Sequence, residues 1–225
     1  MKKLIVIPTK FEIDCFLDGC NDLGLNQKES VLGKYKVIEF PQINTGVALG
    51  GLGKVQFGVQ TQYLIHQEDG PDAVLCVGAA GALSEELSLG DIVIATETVE
   101  HDIKNKVGRP LIPRFRSNEI IVNEFEKMAE KKRAFNLYFG AVASGDEDIM
   151  DETRKEELRS RTGALAVAWE GAGGARACRV SDVPFVEVRG ITDFANPGAG
   201  DDFFKNLEQV MKNLAEVVTE WALHR

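Results

Sequence analysis

Ala73-Val74-Leu75-Cys76-Val77-Gly78-Ala79-Ala80-Gly81-Ala82 is the stretch from which the fold can be read outward. Its first five residues form an unbroken apolar run introduced by Pro71-Asp72, the pattern of a strand buried on both faces. Glycine and alanine follow at once, and small residues after a buried strand let the backbone approach a ligand closely. Upstream, Val55, Val59, Tyr63 and Leu64 recur at helical spacing between Lys54 and His66. Helix and strand therefore make a βαβ-like unit with a glycine-rich exit over 78–82.

The same alternation runs through the rest of the chain. Leu4-Ile5-Val6-Ile7 reads as a buried parallel strand ending at Pro8-Thr9, with a helix from Thr9 to about Leu23. Tyr35 to Phe40 and Ile43 to Leu49 flank Pro41-Gln42 as a hairpin or bent strand pair. Beyond the central unit, strands are predicted over Asp91–Glu100, Leu137–Ala143, Leu165–Ala168 and Pro184–Ile191. Helices are predicted over Asn118–Lys132, Asp151–Ser160, Gly171–Val180 and Asp202–His224. No linker and no repeat of fixed period interrupts this order. The expectation is a single α/β domain over residues 1–225, a three-layer sandwich with a central mixed, twisted sheet flanked by helices. Only His101 to Asn118 lacks clear periodicity; it holds Pro110, Pro113 and three arginines, the composition of a functional cover or a mobile loop.

Composition bounds the function. With 225 residues the chain can bury roughly 70–75% of its unfolded surface. Its formal charge of −9 makes nucleic-acid backbone or an anionic membrane surface a poor partner and favours a small-molecule substrate. No apolar run approaches the ~20 residues needed to cross a bilayer, and Leu4 to Pro8 is too short for a signal peptide. Cys15, Cys20, Cys76 and Cys178 contain no Cys-x-x-Cys pair and only three histidines accompany them, so neither a zinc cage nor a disulfide framework is expected. Reduced thiols and a cytoplasmic location follow as the expectation, with no cofactor and no metal.

Two glycine motifs fail as nucleotide sites. Gly50-Gly51-Leu52-Gly53-Lys54 has Ala48 where a phosphate loop needs its first glycine and Val55 where it needs Ser or Thr. Gly78-Ala79-Ala80-Gly81 is half of a dinucleotide fingerprint without the G-x-G-x-x-G. The acidic residues carry more. Glu12, Glu170 and Asp193 each lie one to five residues past the carboxyl end of an apolar strand, where ligands bind in α/β sheets. A carboxyl group in such apolar surroundings is costly unless paired or used, and burial raises its pKa toward proton donation. Capping of the helix that follows is the alternative for all three.

Several segments, taken in order, resemble the nucleoside phosphorylase/nucleosidase superfamily. They are Gly78-Ala79-Ala80-Gly81-Ala82-Leu83, Leu89-Gly90-Asp91-Ile92-Val93-Ile94, His101-Asp102, Ser144-Gly145-Asp146, Trp169-Glu170-Gly171-Ala172 and Val188-Arg189-Gly190-Ile191-Thr192-Asp193. The branch to which they are most similar is the 5′-methylthioadenosine/S-adenosylhomocysteine nucleosidases. The resemblance implies cleavage of an N-glycosidic bond through an oxocarbenium-like state. It assigns Asp193 to protonate N7 of the departing purine, Glu12 to activate the attacking water, Glu170 to grip the ribose 2′- and 3′-hydroxyls, and Arg189 to sit beside the water and Glu12. Carboxylates facing a ring that gains positive charge stabilise the transition state over the ground state.

Departures from the family pattern shape the expected substrate. Cys76 and Ala79 stand where hexameric phosphorylases have a phosphate-binding arginine and serine, so hydrolysis is favoured, with Lys10 left as a candidate anion contact. Asp148 occupies the place of the base-stacking phenylalanine, followed by Ile149, whose backbone reads the base edge. Trp169 replaces the methionine under the ribose and Ala168 an acidic neighbour; Trp169 and Phe194 are candidates for the missing aromatic surface. Ala79, Ile149, Trp169, Glu170, Asp148 and Phe194 are thus the substrate-binding set. The implied substrate is an adenine nucleoside modified at the 5′ position. Futalosine or aminodeoxyfutalosine, phosphorolysis, and a catalytically weak nucleoside-binding protein are the alternatives; Asp193, where futalosine hydrolases generally have asparagine, favours a 6-amino purine. The resemblance also implies a homodimer in which Val107 to Phe115, with Pro110, Leu111 and Pro113, covers the partner's 5′ pocket, and it puts the neighbourhood of His101 at the subunit contact; a satisfied core histidine is the alternative to a site role for His101.

Overall fold

The computed structural model describes residues 2–68, 70–104, 107 and 112–223. β1 (Lys3–Ile7), α1 (Lys10–Asp22), β2 (Lys28–Leu32), β3 (Tyr35–Phe40), β4 (Thr45–Leu49) and α2 (Lys54–Ile65) form the first part. They lead into β5 (Ala73–Ala82), β6 (Ile92–Glu100), β7 (Arg114–Arg116), α3 (Glu119–Met128) and β8 (Leu137–Ser144). α4 (Glu152–Thr162), β9 (Ala166–Ala168), α5 (Gly171–Val180), β10 (Phe185–Asp193) and α6 (Ala199–Leu223) complete the order. The strands make one mixed sheet in the order β10-β6-β8-β9-β5-β1-β4-β3-β2, with β7 paired to β6.

β10 also pairs in parallel with β5, so β5, β10, β6, β8 and β9 close into a ring. One apolar cluster draws on all five strands: Ala80 from β5, Val93 from β6, Val142 from β8, Ala166 from β9 and Ile191 from β10. Small side chains dominate there because a five-stranded ring leaves little interior volume. Outside it the sheet carries helices on both faces. Ile5 and Ile7 pack with Phe16 of α1, Phe125 of α3 and Met211 of α6, whereas Leu4 and Val6 pack with Phe57 of α2 and Ala172 of α5. That strict alternation along a fully buried strand is what a parallel centre covered on both sides requires.

Three expectations need correction. β5 does not exit at Gly78: it stays paired with β10 through Gly81, so 78–82 is buried strand, not loop. Asp193 is accordingly the last residue of β10, not a residue beyond it. The segment after His101 is not wholly aperiodic, since Arg114–Arg116 pairs with Glu97–Val99 as β7 and the Glu100 N–H donates to the Pro113 carbonyl at 2.9 Å. Residues 108–111 of the expected lid, Pro110 and Leu111 among them, lie outside the described residues. β2 is an edge strand, largely exposed, that opens on the polar run Lys28-Glu29-Ser30. Among the described residues no helix is long and apolar enough to cross a membrane.

Candidate active site

Glu12 reaches the site because a capping box places it there. The Glu12 N–H donates to Thr9 Oγ1 at 3.3 Å, while Thr9 N–H and Oγ1–H donate to Glu12 Oε2 at 3.0 and 2.6 Å. Its other oxygen, Oε1, accepts the Ala79 N–H at 2.9 Å. The capping role and the site position therefore belong to the same carboxylate. This approach works only because Gly78 lacks a side chain: a Cβ there would sit 2.7 Å from Glu12 Oε1 and 2.8 Å from Arg189 Nη1.

Glu170 precedes α5 but makes no capping bond with its side chain. Its Oε1 accepts the Gly53 N–H at 3.2 Å and its Oε2 accepts from Arg189 Nη2 at 3.2 Å. Burial, reinforced by the nearby Glu12 charge, pushes its pKa up to about 7 despite the opposing pull of Arg189. Arg189 is held on several sides: Nε–H donates to Glu187 Oε1 at 2.7 Å, Nη1–H to the Ala79 carbonyl at 3.2 Å and Nη2–H to Cys76 Sγ at 3.4 Å. Burial opposes its charge, but Cys76, Glu187 and Glu170 outweigh that and raise its pKa.

Asp193 accepts the Ala195 N–H at Oδ1 and the Thr192 hydroxyl at Oδ2, both at 2.9 Å, within its own turn. Ala195 takes a left-handed φ of 50° to close that turn. Gly81 faces the carboxylate, and a Cβ there would come within 2.7 Å of Oδ1. Burial raises the Asp193 pKa above the ordinary carboxyl value, the direction a proton donor needs.

These groups share one cavity of about 410 Å³. Glu12, Ala79, Asp148, Ile149, Trp169 and Glu170 line it together with Arg189 and Asp193. Phe194 does not line it: it is half-buried, packed against the apolar cluster of the strand ring. Lys10 is also elsewhere, paired with Asp14 on the outer surface of α1 at 2.7 Å. His101 is buried against Gly145 and has no hydrogen-bond partner for either ring nitrogen among the described residues, its Nδ1 lying 3.9 Å from Glu147 Oε2. Burial lowers its pKa.

Sequence reasoning missed an apolar rim formed by Leu52, Met150, Phe203 and Phe204. The phenylalanines sit on α6, where they are indistinguishable in sequence from core-facing helix residues, yet Phe204 is 70% exposed. Among the described residues no cluster of three or more His, Cys, Asp and Glu side chains is arranged to hold a metal ion.

The family model described as Phosphorylase superfamily matches residues 25–222. A 5′-methylthioadenosine/S-adenosylhomocysteine nucleosidase of Geobacillus kaustophilus is 30% identical over 90% of this chain and 87% of its own. The crystal structure of the nucleosidase of that name from Helicobacter pylori superposes with a TM-score of 0.89 at 27% identity, covering 100% of this chain and 99% of that one. Futalosine hydrolase of Helicobacter pylori superposes with a TM-score of 0.84, also at 27% identity, over 99% and 97%. Model, sequence and structure coincide over nearly the whole length: the chain belongs to the phosphorylase superfamily and groups with its nucleosidases.

Proposed function

We propose that this protein is a purine nucleosidase that hydrolyses the N-glycosidic bond of an adenine nucleoside modified at the 5′ position, of the methylthioadenosine/adenosylhomocysteine type. The observation that carries it is the convergence of Glu12, Glu170, Arg189 and Asp193 on one cavity of about 410 Å³, from elements far apart in the chain. Asp193 delivers a proton to the leaving base, a general-acid step worth roughly 10²–10⁴-fold. Glu12, oriented by Thr9 and the Ala79 N–H, keeps one acceptor site free on Oε1 to align a water and take its proton. Glu170 accepts the ribose hydroxyls, and the carboxylates together face the ring carbon as it becomes cationic.

Water is favoured over phosphate by the charge of the floor. Arg189 is the one basic side chain among the described residues lining the cavity, and Glu187 and Glu170 already engage it. A phosphate dianion would meet Glu12 and Glu170 with no free cation beside them, an arrangement that costs energy in a low-dielectric site. The apolar rim suits a 5′ thioalkyl group. It also suits the bulkier aromatic tail of futalosine, which is the second reading and is favoured by the likeness to futalosine hydrolase.

The finer structural expectations stand as part of this proposal: one domain over 1–225, a three-layer sandwich with a twisted sheet, and a cytoplasmic protein. We also propose a homodimer, supported by the exposed apolar residues Val55 and Val59 of α2 beside Leu52 at the cavity rim. Sedimentation giving a monomer at micromolar concentration would reject it. For the activity, methylthioadenosine, adenosylhomocysteine, adenosine, inosine and futalosine are incubated with and without phosphate. Free adenine and free ribose derivative are expected from the first two substrates. Ribose 1-phosphate products would refute hydrolysis, and cleavage confined to hypoxanthine nucleosides would refute the adenine assignment.

A further inference from the structure

Glu187 is a carboxylate with no exposure at all, on the central strand β10, and it does not line the cavity. Two residues along the same strand, on the same face, stands Arg189. Glu187 Oε1 accepts from Arg189 Nε at 2.7 Å, shorter than the 3.2 Å from Nη2 to Glu170. Its other oxygen accepts the hydroxyl of buried Thr98, on the neighbouring strand β6, at 2.6 Å. The main chain makes room for it: a methyl group at Gly171, the residue after Glu170, would overlap the Glu187 carboxylate.

Such a pair is a poor device for stability alone, because apolar residues of similar volume usually do as well. What it supplies is geometry. Held by Nε, the guanidinium presents Nη1 to the Ala79 carbonyl and Nη2 to Glu170 and Cys76. Without Glu187, the guanidinium's nearest remaining carboxylate would be Glu170, and Coulomb attraction in a dry site would draw the two into a tight pair.

We propose that Glu187 is a positioning residue for the reaction, a fixed counter-charge that satisfies Arg189 from behind and thereby leaves the Glu170 carboxylate available to the sugar. This rests on the nucleosidase reading above. The ionisable groups that face one another here are Glu12 from α1, Cys76 from β5, Glu170 ahead of α5, and Glu187 and Arg189 from β10.

The test is the pH profile of kcat/KM for methylthioadenosine in the wild type, Glu187→Gln and Glu187→Asp. The acid limb of kcat/KM reports the free enzyme, and Glu170 must be ionised to accept both hydroxyls. In Glu187→Gln the negative neighbour is gone and Arg189 turns to Glu170; both effects lower the Glu170 pKa. The limb should therefore move down by about one pH unit or more, with KM raised and kcat/KM reduced on the order of 10²-fold by misplacement of the grip. Glu187→Asp keeps the charge, so its limb should stay near that of the wild type even if the rate falls. A loss of rate uniform with pH in Glu187→Gln, with the limb unmoved, would overturn the proposal in favour of a purely structural pair. If Glu187→Gln does not fold, Thr98→Val decides. Removing the hydroxyl that anchors Glu187 Oε2 loosens its hold on Arg189 and should shift the limb the same way by less, and an unmoved limb rejects the idea. Failure of the wild type to release adenine would instead sink the nucleosidase reading, leaving the two failures distinct.

Discussion

Replacing Gly78 with alanine tests the site at a point where one added methyl group presses on both Glu12 and Arg189. The added Cβ would lie 2.7 Å from Glu12 Oε1, 2.8 Å from Arg189 Nη1 and 3.1 Å from Pro8 Cδ. Ordinary contact begins near 3.4 Å, so the carboxylate must retreat about 0.7 Å and the guanidinium about 0.6 Å. Glu12 cannot swing aside freely, because Thr9 holds Oε2 by two bonds and Ala79 holds Oε1. Either the Ala79 bond breaks or β5 shifts against β1, and overpacking of this kind costs about 1–3 kcal/mol. A domain with about 5–15 kcal/mol of stability survives that loss, so the variant should remain folded at 25 °C with a melting temperature lowered by several degrees. Catalysis should suffer more, since a misplacement approaching 1 Å costs up to about 10²-fold. Adenine release followed in the ultraviolet, alongside a circular-dichroism melt, measures both. A kcat within threefold of the wild type would refute the claim that the Glu12 position is set by the bare backbone at Gly78.

Two further outcomes follow from the carboxylates. Asp193→Asn should fold normally, since an amide oxygen can accept the Ala195 N–H while its NH₂ donates to a rotated Thr192 hydroxyl. The general-acid contribution, about 10²–10⁴-fold in kcat, should vanish while a nucleoside analogue still binds by calorimetry; turnover within tenfold of the wild type would contradict the acid assignment. Glu170 predicts a pH dependence of stability. Its folded pKa of about 7 lies above the ordinary value of 4.5, so the folded state holds a proton that the unfolded chain releases. Its contribution is complete below pH 4.5 and is lost as pH rises through about 7, by on the order of 3 kcal/mol. Melting temperatures between pH 5 and 8 should fall less in Glu170→Gln than in the wild type, and equal slopes would refute the shift.

The order of strands and helices was readable because most elements obey one period each. Unbroken apolar runs such as 4–7 and 73–77 announce buried strands, and Pro8-Thr9 after the first of them marks a helix start. The reading failed where side-chain chemistry and backbone pairing part company. Gly78 to Ala82 looks like a loop because glycine and alanine are poor strand formers, but here close approach by Glu12 and Asp193 demands small residues inside the strand. β2, with Lys28-Glu29-Ser30, is an edge strand whose polarity protects it from pairing and also hides it. In the site, Glu12, Glu170, Arg189 and Asp193 could be named by position after strands and by resemblance. Glu187 could not, because an acid inside an apolar strand gives no sign of which neighbour it serves until β10 and β6 are laid side by side. Phe203 and Phe204 escaped notice for the opposite reason: an aromatic pair on an amphipathic helix reads as core.

The balance of charge explains why these groups stand together at all. Glu12, Glu170 and Glu187 crowd one guanidinium, Arg189, and all four are buried. Fully ionised, the group has more negative than positive charge in a medium that stabilises neither. Glu187 is satisfied by Arg189 and Thr98, and Glu12 by its cap and the Ala79 N–H. Glu170 is left with the cost of its burial, to which the Glu12 charge adds, and its pKa rises in consequence. On the proposed mechanism that cost is relieved in two stages. Ribose hydroxyls give Glu170 the donors it lacks, and the ring carbon, cationic as the base departs, gives the surplus negative charge a partner present only at the transition state. Interactions realised at that point alone lower the barrier without deepening the ground state. A floor neutralised by a second free arginine would be more stable and a worse catalyst, since it would attract phosphate and oppose the cation the reaction must form.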